Sequence, residues 1–381
     1  MKVLHDLAIL GVSSNQTTRR CNMADYKLGF DVHKRYTQIA VLDEKGKVRQ
    51  NEKVLHSPER ITNYLREFPA GTPVAFETTG NWYWIADAIE AAECEPYMAH
   101  AAKAKVMMGN VNKTDKLDAE GLARLLYLGQ LPTVWIPDAQ LRDEREVLRL
   151  RMFLAKIRTG LKNRIHASLS KYALSLEESD IFVGRGLEQL QHLKEMLPIH
   201  TREGLQQQLD LLEQVQKHID QLEKRIRQAV RETPAMRLLK SLPGLGDVLS
   251  ALAAEEMGSV ERFPDGEHFA SYAGCVPTVA SSGGKTHYGH LRHASNHYLK
   301  WAFIEAANVI VANRHRPTWQ NKHVVLLYER IRQRKGHATA VGAVARHLAE
   351  AAYWMLRKNE PYRPPTPPCP DKRKRATKLV P

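Results

Sequence analysis

The chain has 381 residues, and its 56 lysines and arginines outnumber 42 aspartates and glutamates, for a formal charge of +14. A hydrophobic fraction of 43% excludes a disordered chain, and the length allows two or three domains. The charge points to a polyanionic partner, while no uninterrupted apolar run is long enough to span a bilayer, so no membrane partner is expected.

Residues 1–25 read as a loose leader. The apolar core of "MKVLHDLAILGV" is short and broken by Asp6, and Met23 stands as an alternative start. Residues 26–138 carry a β-rich and then alternating pattern. "YKLGFDV", "TQIAVLD" and "VRQNEKVL" predict three strands, with "EKGK" as a turn. "SPERITNYLREF" predicts a helix capped by Ser57 with Pro58 at its first position. "TPVAFE" is a buried-type strand, "NWYWIADAIEAA" a helix and "EPYMAHA" a strand. "DKLDAEGLARLLYLG" is a helix closed by Gly129. A three-strand meander followed by alternating helix and strand predicts a mixed α/β sheet of the ribonuclease-H type.

Residues 139–232 predict a helical, coiled-coil arm. The first run is rich in arginine, including Arg142, Arg145, Arg149, Arg151 and Arg158. The second places Leu205, Leu209, Leu212, Val215, Ile219, Leu222 and Ile226 at steps of three and four. This arm is either an intramolecular helical hairpin or a surface for a second copy or RNA. In the latter reading Arg149 and Arg158 are candidate nucleic-acid contacts.

Residues 233–358 open with "MRLLKSLPGLGDVLSALAAEEMG", a helix, a glycine turn and a helix resembling a helix-hairpin-helix. Gly244 and Gly246 would present backbone N–H groups to a DNA phosphate, or simply join two helices. After a "SSGGKT" loop come apolar helices in "HYLKWAFIEAANVIVA", "NKHVVLLYERIRQ" and "AVGAVARHLAEAAYWML", predicting a mainly α domain. Residues 359–381 form a Pro-rich basic tail, expected to be disordered, with Lys372, Arg373, Lys374 and Arg375 as a loose electrostatic contact. The four cysteines, Cys21, Cys94, Cys275 and Cys369, form no C-x-x-C pair, so a reducing cytoplasm is the default.

Four acids carry the chemistry. Asp31 ends the first strand, Glu77 ends the fourth, and Asp115 and Asp118 stand three apart on one helix face. In a ribonuclease-H-type sheet the first and fourth strands are neighbours, which brings the acids together. Their mutual repulsion calls for cations, and carboxylates suit Mg²⁺ or Mn²⁺. Two such ions roughly 4 Å apart clamp an in-line phosphoryl displacement. Taken singly, each acid also reads as a solvated surface charge.

The loop "ASSGGKTHYG" ends like a phosphate-binding loop, but Val279 occupies the position where the leading glycine is required, so nucleotide binding is rejected. Ser282, with Ser281 ranked behind it, is either part of a turn or a nucleophile toward a DNA phosphate. His287, His290, His293 and His297 match no common zinc spacing. Lys285 and Arg292, with Lys300, are the candidate phosphate contacts there.

Together these motifs resemble a known family. "GFDVHK", "FETTGNW" and "NKTDKLDAEGLARLL" are similar to the DEDD motifs of the insertion-sequence-one-ten family of transposases. "LPGLGDVLSALAAEEMG", "FASYAGCVPTVASSGGK" and "GHLRHASNHYLKWA" are similar to its C-terminal transposase domain, and "SSGG" with its histidines looks closest to the eleven-eleven subgroup. The resemblance covers Tyr26 to about Leu356. It implies a RuvC-like nuclease domain using Asp31, Glu77, Asp115 and Asp118 with Mg²⁺ or Mn²⁺, and a serine domain in which Ser282 becomes linked to DNA as a 5′-phosphoserine. It also implies a structured noncoding bridge RNA, donor and target DNA, and dimers pairing into tetramers, with nuclease and serine domains of different subunits meeting. A cytoplasmic, nucleoid-associated protein is expected. A water-using RuvC-like nuclease or junction resolvase, and a non-enzymatic basic RNA-binding protein, are the alternatives.

Overall fold

The computed structural model describes residues 26–109, 114–175, 178 and 180–365. The predicted leader and the basic cluster Lys372–Arg375 lie outside the described residues. The chain divides into two compact units, one ending at Ile136 and one beginning at Pro137.

The first unit is a mixed sheet with helices. In chain order it comprises β1 (Lys27–Val32), β2 (Tyr36–Leu42), β3 (Val48–Leu55), α1 (Pro58–Leu65), β4 (Pro73–Glu77), α2 (Trp82–Glu90), β5 (Glu95–Ala99), α3 (Ala101–Met108), α4 (Asp115–Tyr127) and β6 (Thr133–Val134). The six strands lie in the order β3-β2-β1-β4-β5-β6. β1, β2 and β3 form the antiparallel meander, β4 and β5 join parallel to β1, and β6 runs antiparallel to β5. Ser57 caps α1 through the Arg60 amide with Pro58 at the start, as the sequence predicts. Two elements were not predicted. α3 buries only Ala104, so it has no apolar stripe to read, and β6 is two residues long.

Alternation along β1 decides what each face does. Leu28, Phe30 and Val32 pack with Val74, Phe76, Ile61, Leu65, Ile85 and Ile89 on the side of α1 and α2. Gly29 and Asp31 look the other way, toward α4, whose Ala119 and Ala123 pack beside Ala40 and Leu42. Gly29 allows that helix to lie directly on the strand, because a Cβ there would overlap the Ala119 carbonyl and the Ala123 amide. Gly29→Ala is therefore expected to cost about 1–3 kcal/mol of stability through overpacking and to push α4 away from β1 at Ala119 and Ala123. Urea unfolding monitored by circular dichroism measures it.

The second unit is mainly helical, with one hairpin. Its elements are α5 (Ala139–Ser170), α6 (Gly184–Glu195), α7 (Ile199–Glu232), α8 (Pro234–Leu239), α9 (Asp247–Met257), α10 (Gly266–Tyr272), β7 (Pro277–Ser282), β8 (Lys285–Leu291), α11 (His297–Asn313), α12 (His323–Lys335) and α13 (His337–Lys358). α5 and α7 pair antiparallel within the chain, linked by Arg151 to Glu223 at 2.6 Å and Arg158 to Gln216 at 3.0 Å. The apolar stripe of α7, from Leu205 to Val230, is buried. A second core holds Phe269, Leu299, Phe303, Ile310, Val344 and Leu348 from α10, α11 and α13.

A buried ionic cluster ties α5 to α9 and α11. The Glu256 side chain is fully buried, accepts from Arg149 Nε at 2.8 Å and from Asn296 Nδ2 at 2.9 Å, and lies 3.8 Å from Arg145 Nε. Arg145 also donates to the Glu255 carbonyl at 2.9 Å. Removing the carboxylate would take a fully buried acceptor away from Arg149 and Asn296 and a counter-charge from buried Arg145, so Glu256→Ala should lose about 3–5 kcal/mol. Denaturant midpoints of the two proteins provide the comparison.

Candidate functional site

The first unit assembles the acids at the C-terminal end of β1. Phe30 pairs with Phe76 across the parallel strands, so Asp31 and Glu77 are the next residues on neighbouring strands. Thr114 caps α4 by accepting from the Leu117 amide, which fixes Asp115 and Asp118 in the first turn, where the helix dipole favours negative charge. Asn51 donates to the Lys116 carbonyl at 3.0 Å and ties that turn to β3.

The donor atoms of Asp31, His33 and Asp115 all lie within 4.8 Å of one another. His33 Nε2 sits 2.9 Å from Asp31 Oδ2 and 3.3 Å from Asp115 Oδ2. Tyr36 donates its phenolic proton to Asp115 Oδ2 at 2.7 Å. The His33 and Tyr36 rings stack with centroids 4.6 Å apart, and Lys53 Nζ lies 3.5 Å from the Tyr36 ring centroid. Of the predicted acids, Asp31 and Asp115 thus meet directly. Asp118 is close enough for its charge to act on Asp31. Glu77 stands at the neighbouring strand end, outside the tight group.

The two carboxyls that meet are pushed in opposite directions. Burial holds Asp31 above the ordinary carboxylate value, His33 opposes that shift, and the charges of Asp118 and Asp115 add to it. The Tyr36 hydrogen bond holds Asp115 below its ordinary value, with help from His33 and Lys53. His33 Nε2 is buried yet aligned for a hydrogen bond with neither carboxylate. Two carboxylates and a poorly satisfied imidazole nitrogen facing one point fit a divalent cation, which would relieve the repulsion among Asp31, Asp115 and Asp118. His33 and Tyr36 are absent from the sequence-based expectations. His33 follows Asp31 by two residues in extended chain and so shares its side, a signal that was present. Tyr36 comes from the next strand and gave none.

The predicted serine loop is a hairpin. Ser282 ends β7 and pairs with Lys285 at the start of β8. Gly283 and Gly284 make the two-residue turn with φ of 57° and 75°, the left-handed region that glycine enters at no steric cost. Both strands are exposed along nearly their whole length, so no apolar alternation marked them as strands. Ser281 and Ser282 point to opposite faces, Ser281 Oγ lying 3.4 Å from Thr286 Oγ1. Directly opposite Ser282, the Lys285 side chain shares its face.

The remaining predicted contacts fall in different settings. Arg292 is exposed and donates to Ser271 Oγ at 2.8 Å, while Lys300 donates to the Arg292 carbonyl at 3.0 Å. Gly244, at φ 88°, presses the turn before α9 against the Ala306 carbonyl, and Gly246 is the N-cap residue of α9. Arg149 and Arg158, the candidate nucleic-acid contacts of the arm, also have partners within the chain. Arg149 is engaged with buried Glu256 and lies 4.7 Å from the Tyr298 ring centroid, and Arg158 bonds Gln216. Among the described residues no group able to hold a metal includes His287, His290, His293 or His297. No helix among them is long and apolar enough to cross a membrane.

Two stretches of the chain match transposase families, the first running from the first unit through α5 of the second. Residues 28–174 match a transposase domain of the DEDD type, and residues 236–324 match the transposase domain of the IS116/IS110/IS902 family. A Pseudomonas aeruginosa protein named "Probable family 20 transposase" is 24% identical over 346 residues, 89% of this chain and 98% of that one. The transposase for insertion sequence element IS1111A of Coxiella burnetii is 23% identical over 364 residues, 91% and 93% of the two chains. An insertion element IS110 protein of Streptomyces coelicolor is 33% identical over 138 residues, 36% of this chain and 32% of that one. Both halves are matched in order and relatives align along nearly the whole length, which supports a DNA transposase similar to those of the IS110/IS116/IS902 family.

Proposed function

We propose that the chain is an RNA-guided DNA recombinase that cuts and rejoins strands through Ser282. The observation that carries this reading is the convergence of Asp31, His33 and Asp115 at one sheet edge, with Asp118 in electrostatic reach. The strand order, with a meander followed by two parallel strands, supports reading the first unit as a ribonuclease-H-like or RuvC-like nuclease domain whose acidic edge takes the phosphodiester. A divalent cation, Mg²⁺ or Mn²⁺, bound there by Asp31 and Asp115 would offset the negative charge of the reacting phosphate.

The remaining chemistry belongs to the hairpin. Ser282 Oγ attacks the phosphorus, the Oγ–P bond forms and the bond from phosphorus to the 3′ oxygen breaks. The serine proton is lost, the 3′ oxygen gains one, and the products are a free 3′-hydroxyl and a 5′-phosphoserine. Attack by a different strand's 3′-hydroxyl reverses the step and rejoins DNA without an outside energy source. Lys285, on the same face, would neutralise the phosphate beside the nucleophile. The reading requires acids and serine to converge on one phosphodiester in the assembled form, a dimer or tetramer. Guidance by a structured RNA accords with the charge of +14.

Denaturing electrophoresis of the chain incubated with element-end DNA and Mg²⁺ tests this. A DNA-dependent, protease-sensitive covalent band is expected. Cleavage giving only free 5′-phosphate ends would assign the water-using nuclease reaction instead.

A further inference from the structure

The structure assigns a second phosphodiester-binding site, in the second unit, to a basic cleft where α7, α8 and the turn into α9 meet. The cleft has a volume of about 380 Å³ and is lined by Arg227, Arg231, Arg237, Lys240, Ser241 and Asp247, over Val230. All four cations and the serine are exposed. Carboxylates offset only two of the cations. Glu223 lies 3.7 Å from Arg227, and Asp247 pairs with Lys240. Among the described residues no carboxylate lies within ion-pair distance of Arg231 or Arg237; Arg237 instead donates to the Arg231 backbone carbonyl, which anchors its side chain at the end of α7, and both residues line the cleft.

Holding uncompensated like charges together is unfavourable unless an anion answers them. A single arginine at a helix end is explained by the helix dipole. Cations drawn from two helices onto one hollow, with a hydroxyl among them, are not. The ligand this chemistry takes is a phosphate diester: guanidinium groups pair with its oxygens bidentately, and Ser241 supplies a further donor. The turn beside the cleft packs tightly on α11, since a Cβ on Gly244 would overlap the Ala306 carbonyl. This inference rests on the reading that the chain acts on nucleic acid, and it adds a backbone-gripping site that does not depend on the acids or Ser282.

The test is salt-dependent filter binding of the full chain to two probes, a random-sequence DNA duplex and a hairpin RNA of equal phosphate number. The variants are R231Q/R237Q and R231K/R237K. With two phosphates no longer neutralised, the slope of log affinity against log salt for the duplex should fall by about 2. The affinity of R231Q/R237Q should drop roughly 10- to 100-fold near 0.1 M salt. The lysine pair should keep most of the binding, and melting temperatures should stay within about 2 °C. Loss confined to one probe assigns the cleft to that nucleic acid, and loss on both assigns it to the backbone they share. Wild-type affinity and slope in R231Q/R237Q on both probes would overturn the site while leaving the proposed function standing. A wild-type chain that binds neither probe would overturn both.

Discussion

Ser282→Ala is expected to abolish the covalent protein–DNA adduct and to lower strand cleavage by a factor on the order of 10³ or more. DNA affinity and melting temperature should stay unchanged, because the side chain is exposed at a hairpin end and removal of one hydroxyl there disturbs no packing. Ser281→Ala is the matched control. The two serines occupy consecutive strand positions and face opposite ways, so only one of them shares a face with Lys285. Adduct formation that survives Ser282→Ala and disappears in Ser281→Ala would transfer the role to Ser281. Survival in both would remove the hairpin from the chemistry.

Asp31→Asn and Asp115→Asn are each expected to lower cleavage by about 10³-fold or more, with nucleic-acid binding retained. They should also weaken Mn²⁺ binding, read by electron paramagnetic resonance without turnover. The two residues should respond differently to pH. Asp31 is held above the ordinary carboxylate value by burial and by the neighbouring charges, so it is the last of the pair to ionise. Cation binding should therefore strengthen as pH rises through the Asp31 value. Asp118→Asn removes one charge that raises Asp31, so the same rise should begin at lower pH. Equal Mn²⁺ affinity in wild type and both Asn variants would show that the acids do not hold the ion.

Much of the first unit was legible because its signals are local. Ser57 and Pro58 mark a helix start in any context, and the strands of the meander separate at short polar turns. The acids could be placed once the strand order was inferred, since parallel pairing of β1 with β4 puts Asp31 beside Glu77. What escaped depends on tertiary partners. Tyr36 reaches Asp115 across 79 residues of sequence, and nothing near either residue announces that bond. The serine hairpin escaped because its strands bury no face. An exposed two-stranded ribbon has no hydrophobic period, and only the Gly-Gly pair at its tip marked the turn. The partners of the α5 arginines were equally hidden. Arg142 and Arg145 are almost wholly buried, and Arg149 turns toward Glu256. In sequence an arginine answering a buried glutamate looks the same as one awaiting a phosphate.

The most direct measurement is mass spectrometry of the trapped complex after nuclease and protease digestion. The account predicts a peptide from the hairpin carrying a 5′-linked nucleotide, with fragmentation placing the added mass on Ser282. That mass should be absent when Asp31 is Asn. An unmodified Ser282 in a reaction that has cleaved DNA, or a nucleotide carried by another residue, would contradict it.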